Sequence, residues 1–291
     1  MLSLHTNAAS LSAQNSLSST QSKLSTSMTR LSTGFRINSA ADDAAGLQIA
    51  TRLKSQTSGM AVAMRNTQNS VSMLQTAEGA LDEVTNILTR MKDLATQSAD
   101  ASSSTADQTA MQKEYDSLTD ELSNIFGNTK FGGTALLSDA GKLSASMDFQ
   151  IGADSSEKMA ADFSTELVTN VHAKILAASA GFVADGSAGA AAGTEINAAS
   201  ANATINKLAT AIDNVSGLRS KIGAVSNRLD HVYNNLSNIS TNTQAATGRI
   251  MDVDFASESA KMTSNQMLMQ AGTAMLKQTN QMSSMVMSLL Q

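Results

Sequence analysis

The chain has 291 residues, 30.2 kDa, a net charge of −5 and a pI near 5.2. That balance excludes a phosphate-backbone binder, which needs a concentrated basic face, and we expect no nucleic-acid partner. Cysteine and proline are both absent: the first rules out disulfide and thiolate-metal staples, and the second removes the residue that most firmly interrupts a helix.

The opening residues, MLSLHTNAAS, carry no basic segment followed by an apolar run, so a cleavable secretory signal is not expected. No apolar stretch approaches the roughly 18 residues of a membrane span, and membrane insertion is not expected either. Hydrophobic residues make up 42% but aromatics only 3%, without Trp. A core would therefore be built from Leu, Ile, Val, Met and Ala.

The first element is a helix with Leu11, Leu17, Leu24, Met28 and Leu31 on its apolar face. Between Met1 and Thr29 only Lys23 is formally charged. A solvated monomeric helix ordinarily carries interspersed charges, so this polar, uncharged surface points to a helix enclosed by neighbours. Asp42 and Asp43 follow, flanked by small residues and Gly46. Adjacent carboxylates can serve as metal ligands or an acid–base pair. A bend with its charges near a helix start accounts for them better.

Helical spacing resumes at Met60, Met64, Thr67, Val71 and Leu74, and again at Leu81, Val84, Leu88, Met91 and Ala95. A shorter run at Tyr115, Leu118, Leu122 and Ile125 is entered through Ser/Thr-rich residues 102–105, a cap signal. Asn128 and Gly132-Gly133 read as turns. Leu143, Ala145, Met147, Phe149 and Ile151 alternate with polar residues at the period of a half-buried strand. Residues 177–200 are rich in Ala, Gly and Ser and read as a short, exposed, variable tip.

The clearest periodicity is Leu218, Ile222, Val225, Leu229, Val232, Leu236, Ile239, Thr243, Ala246, Ile250 and Val253, extended upstream by Leu208, Ile212 and Val215. A helix over 204–253 would be roughly 70 Å long at 1.5 Å rise per residue. A 3.5-residue repeat held that long makes a coiled-coil seam. In the last element Phe255, Met262, Met269, Leu276 and Leu290 lie on one heptad line. Leu268, Met275, Met282 and Leu289 lie on the next. This band is wide enough for more than one partner helix. Only Lys277 is charged between Met262 and Gln291, and seven of the 17 methionines fall between 262 and 287. Such flexible, polarizable side chains suit both a core and an adaptable contact surface.

Long motifs in order now resemble the bacterial flagellins. RLSTGFRINSAADDAAGLQIA at 30–50, QTAEGALDEV at 75–84, TKFGGTALL at 129–137 and FQIGAD at 149–154 carry the first half. GAVSNRL at 223–229, RIMDVDFASE at 249–258, QAGTAMLKQTNQ at 270–281 and VMSLLQ at 286–291 carry the second. Three departures stand out: Gly132 where the family commonly has Asn, Ser283 and Ser284 where a Pro is common, and Gln291 in place of a terminal Arg.

The resemblance implies a mainly α fold, a long antiparallel coiled coil from paired N- and C-terminal segments with a small β-hairpin region. An inner domain would comprise 1–43 and 254–291, lining the filament channel. A second would comprise 44–176 and 201–253, with the tip at 177–200. The implied function is a secreted structural subunit that is exported unfolded and polymerises with copies of itself into the motility filament. The seam residues for that role are Leu11, Leu17, Leu24, Met28, Leu31, Met262, Met269, Met275, Leu276, Met282 and Leu289. Its implied partners are an export chaperone and the export apparatus, and the filament cap and hook-junction proteins. A hook–filament junction protein, and an adhesin or host-receptor ligand, remain as alternatives.

Arg90, Leu94 and Glu114 match positions through which the vertebrate toll-like receptor recognises flagellins; Thr89 and Asp93 depart from that pattern. Subunit contact explains the same charges. No cofactor and no catalysis are expected, since His5, His172 and His231 are far apart in sequence and no nucleophile, base and orienter converge.

Overall fold

The computed structural model describes residues 7–187, 193–197 and 199–289, with side chains described to residue 282. By compactness the chain divides into two units, one drawn from residues 1–57 and 241–291, the other from 58–240. The breaks at 43/44 and 253/254 expected from sequence are breaks between helices. The units instead part within helices α2 (Ala44–Ser98) and α5 (Ala201–Met251).

In the first unit, helix α1 (Ala8–Thr33) begins where the Asn7 side chain accepts the Ser10 N–H at 3.0 Å. It ends at Gly34, whose φ of +76° takes the left-handed turn open to glycine. This helix is rich in Ser and Thr, and several of its hydroxyls bond back within it. Thr20, Thr26, Thr29 and Thr33 each donate to the carbonyl four residues earlier, at 2.9–3.1 Å.

Helix α6 (Phe255–Leu289) runs antiparallel beside it, so that Ser10 meets Asn280, Leu17 meets Gly272 and Ser27 meets Glu258. The connectors flanking the pair are stitched together. Phe35 and Asp252 form a β-bridge, Arg36 N–H donates to the Met251 carbonyl, and Val253 N–H donates to that of Gly34.

The expected bend at Asp42-Asp43 is present. The Asp42 carboxylate accepts from the N–H groups of Asn38 and Ser39, and Asp43 accepts the Gly46 N–H as α2 starts. The hydrogen bonds from Ser39 and Asn38, with Arg30 nearby, hold the Asp42 carboxyl below its ordinary range. Both aspartates are thus occupied in shaping the turn.

The second unit packs α2, α3 (Thr105–Asn128) and α5 around one core. Leu74, Leu81, Val84, Leu88 and Met91 of α2, Tyr115, Leu122 and Phe126 of α3, and Leu208, Val215, Leu218 and Leu229 of α5 are all buried there. Helix α3 starts in a capping box, Ser104 and Asp107 bonding each other's backbone N–H. On the rim Arg219 of α5 reaches Glu78 and Asp82 of α2.

Two small antiparallel hairpins follow α3. Strands β1 (Lys130–Phe131) and β2 (Thr134–Ala135) are joined through Gly132 and Gly133, at φ +58° and +81°. That two-residue turn with both φ positive needs glycine or Asn. Strands β3 (Met147–Gln150) and β4 (Lys158–Ala161) pair Phe149 with Met159.

The strand expected over 143–151 is shorter. Leu143 sits in a one-turn 3₁₀ helix at Lys142–Ser144, and Ala145 is exposed. Burying the Leu143 side chain from the tight turn satisfied the alternation without an extended backbone. A π-helical segment, Thr165–His172, leads into α4 (Ala173–Ala178). Its His172 ring, absent from the sequence reading as a structural group, lies between Asp139 Oδ1 at 2.7 Å and the Leu137 carbonyl at 2.9 Å, edge-on to Phe126.

The reading of 177–200 as an exposed tip is corrected. Ala178, Phe182, Ala184 and Ile196 are buried in the main core. Glu195 accepts from the Ala180 N–H and the Gln112 amide, and Ser98 Oγ donates to the Ile196 carbonyl. Backbone closes on backbone where Gly127 meets Gly186, so that a Cβ on Gly127 would lie 2.4 Å from the Gly186 Cα. Few large apolar residues were needed because small ones let the chain lie close. Residues 188–192 and 198 fall outside the described set.

Candidate assembly surface

The residues expected to form one seam on the terminal helices divide between two faces. On α1, Ala13, Leu17, Thr20, Leu24, Ser27 and Leu31 are half-buried or buried, alternating by threes and fours. On α6 the matching stripe is Glu258, Met262, Asn265, Met269, Gly272, Leu276 and Thr279. These two stripes face each other within one chain. They come close at Gly272, where an added Cβ would stand 3.3 Å from Leu17 Cδ1.

The other half of the expected seam, with Leu268 of the adjacent line, is exposed among the described residues. Leu11 is 63% exposed, Met28 55%, Leu268 56%, and Met275 and Met282 60% each. Leu268, Met275 and Met282 form the adjacent heptad line on α6, and Met267 beside them is equally open. Phe255, read from sequence on the Met262–Met269–Leu276 line, is also exposed. It opens the helix one turn before pairing closes at Glu258. The Leu289 side chain and Leu290 lie outside the described residues.

Scattered exposed hydrophobes need no explanation, but a continuous line on one helix face marks a contact surface.

One polar device was missed. Glu258 is 4% exposed and accepts a hydrogen bond from Ser27 Oγ at 2.6 Å, with Lys261 at 3.5 Å. The Ser27 hydroxyl chiefly, then the charges of Lys261 and Arg30, hold its carboxyl below the ordinary glutamate range. A buried, partnered carboxylate between the two stripes favours this register, because a slip would take it away from the Ser27 hydroxyl. The sequence signal was there: Ser27 lies between Leu24 and Leu31 at seam spacing, and Glu258 lies four before Met262.

On the second unit, the seam residues Leu218, Ile222, Val225, Leu229 and Leu236 are buried and Val232 is half-buried. The seam opens at Ile239, which is 39% exposed. Arg90 and Glu114 form an exposed ion pair between α2 and α3, two guanidinium N–H groups converging on one carboxylate oxygen at 2.6 and 2.9 Å. Leu94 does not share their surface. It is 2% exposed, inside the core. It is buried because α2 is covered from two sides here, which widens its buried stripe.

His231 is on the helix surface. Among the described residues no cluster of three or more His, Cys, Asp or Glu is arranged to hold a metal ion, and no helix is long and apolar enough to cross a membrane.

Comparison with known proteins accords with this arrangement of paired ends and packed middle. A family model described as the bacterial flagellin N-terminal helical region matches residues 4–142, and one described as the bacterial flagellin C-terminal helical region matches 205–290. The chain is 36% identical to a flagellin of Bacillus subtilis, with 99% of each chain covered. It is also 36% identical to a flagellin of Halalkalibacterium halodurans, covering 89% of this chain and 88% of that one. In fold it resembles a solved structure described as a putative flagellar hook-associated protein from Vibrio parahaemolyticus. That likeness has a TM-score of 0.57 and 21% identity, covering 72% of this chain and 100% of the other.

Proposed function

Because the chain belongs to the bacterial flagellin family, we propose that it is a structural subunit that polymerises with copies of itself into the extracellular flagellar filament. The observation that carries this reading is the division of the terminal helices into two apolar faces. One closes α1 on α6 within the chain. The other, through Leu268, Met275 and Met282 of α6, stays open over several helical turns, and Leu11 and Met28 of α1 are exposed as well.

A subunit that must first be delivered and then assembled needs such an arrangement. The internal stripe is thin, with Ser27 the one fully buried residue of α1, so most packing energy for these helices is left for contacts between subunits. The same thinness supports export of the terminal segments in a loosened state, held by a chaperone and passed through the export apparatus. At the growing end the filament cap, and at the base the hook-junction proteins, would meet the same open faces.

The fold alone is shared with a hook-associated type of protein, whereas the relatives matched over nearly their whole length are flagellins. Purified subunits added to short filament seeds separate the two. A filament subunit elongates the seeds to micrometre lengths in electron micrographs; a junction protein binds seed ends and stops.

The exposed Arg90–Glu114 pair favours a second role, recognition of free subunits by the vertebrate toll-like receptor for flagellin. In this reading Arg90 and Glu114 make the contact and Leu94 supports α2 from beneath. An Arg90→Ala, Glu114→Ala variant that activates receptor-bearing cells as fully as the parent protein removes the reading.

A further inference from the structure

We propose that the exposed thioethers of Met28, Met267, Met275 and Met282 are oxidation-sensitive positions of the terminal helices, through which a peroxide controls whether a free subunit can enter a filament. The inference rests on the assembly reading above and adds a chemistry to that surface.

Among the described methionines, nine stand at the two extremes of exposure, and Met64, Met147, Met251, Met262 and Met269 lie between. Met60, Met73, Met91, Met111 and Met159 lie in the folded cores with 0–8% exposure, and packing shields their sulfurs. The four named residues expose 55–61%, and all stand on the terminal helices. With no Cys or Trp in the chain, and Tyr115 buried, a thioether is the softest nucleophile that a diffusing peroxide meets. Exposure decides which thioether reacts.

The step is a two-electron transfer. A sulfur lone pair attacks one oxygen of hydrogen peroxide, an S–O bond forms and the O–O bond breaks. The departing hydroxide takes the proton from the new S–OH group and leaves as water. Sulfur is oxidised to the sulfoxide and the peroxide is reduced.

The product places a strong dipole on the line that Leu268, Met275 and Met282 present, with Met267 at its edge. In the free subunit water solvates that dipole at no cost. In a closed apolar contact the sulfoxide oxygen would be buried without a donor, which opposes assembly. Methionine sulfoxide is reducible, so the block is reversible.

The test uses the full chain as free subunits, treated with hydrogen peroxide, mapped by peptide mass spectrometry and then added to seeds. The four exposed methionines should oxidise several-fold faster than the five buried ones, and the oxidised subunits should bind seed ends about tenfold or more weakly. Treatment with a methionine sulfoxide reductase should restore elongation. A Met28→Leu, Met267→Leu, Met275→Leu, Met282→Leu variant should elongate seeds at the same rate with and without peroxide, since Leu cannot be oxidised. Equal oxidation of both populations, unimpaired elongation by oxidised subunits, or no recovery on reduction would each overturn the proposal. Failure of untreated protein to elongate would overturn the assembly reading instead.

Discussion

Ser27 and Glu258 are 231 positions apart, yet the contact between them fixes how α1 meets α6. With the Glu258 carboxyl held below its ordinary range by the Ser27 hydroxyl, and by Lys261 and Arg30 beside it, the folded pair favours the ionised form. Its contribution is therefore present above the ordinary glutamate range, near pH 4.3, and is lost as pH falls through that range toward the lower folded value. Hydrogen-exchange protection of α1 amides, corrected for intrinsic rates, should fall over that interval. Glu258→Gln should be less protected at neutral pH and show a flat profile. Ser27→Ala, which takes away the carboxylate's hydroxyl donor and leaves it Lys261, should cost about 1.5–3 kcal/mol of pairing.

A second contrast at this scale separates core from surface on one helix. Leu94→Ala should lower the stability of the 58–240 unit by about 2–5 kcal/mol through the cavity it leaves. Arg90→Ala, breaking an exposed ion pair, should cost about 0–1 kcal/mol. Thermal melting of the two variants side by side checks both.

At the scale of elements, much was legible because the apolar repeat is long and uninterrupted. The spacing at Leu218–Leu236 and the cap signal at Ser104 correspond to α5 and α3, and Gly132-Gly133 to a hairpin turn. What sequence could not tell was how many neighbours each stripe has. A heptad line is written the same way whether it faces its own chain or another, so Leu17 and Leu11 looked alike until α6 covered one of them. The same ambiguity hid Leu94 in the core.

The segment around Phe182 and Ile196 misled for a different reason: small residues carry little hydrophobic signal but permit close approach, as at Gly127 and Gly186. The two ends of the α5 seam offer a test. Leu229→Asp buries an unpaired charge and should cost several kcal/mol, seen as a fall in melting temperature of the second unit. Ile239→Asp, where the seam is open, should leave that temperature nearly unchanged.

At the scale of the whole molecule, a folded middle and thinly paired ends describe a protein whose stability is completed by its neighbours. The second unit owns a continuous core, whereas the terminal pair leaves its broader apolar face unspent. In an assembled contact a charge on that face would be buried without a partner, while in the free subunit it would remain in water at little cost.

The most direct measurement is therefore seeded elongation by a Leu268→Lys, Met275→Lys subunit, followed by electron microscopy beside circular dichroism of the free protein. The account predicts a free subunit with the parent's helical content and melting temperature that fails to elongate seeds. Elongation at the parental rate would show that these residues make no contact between subunits and would contradict it.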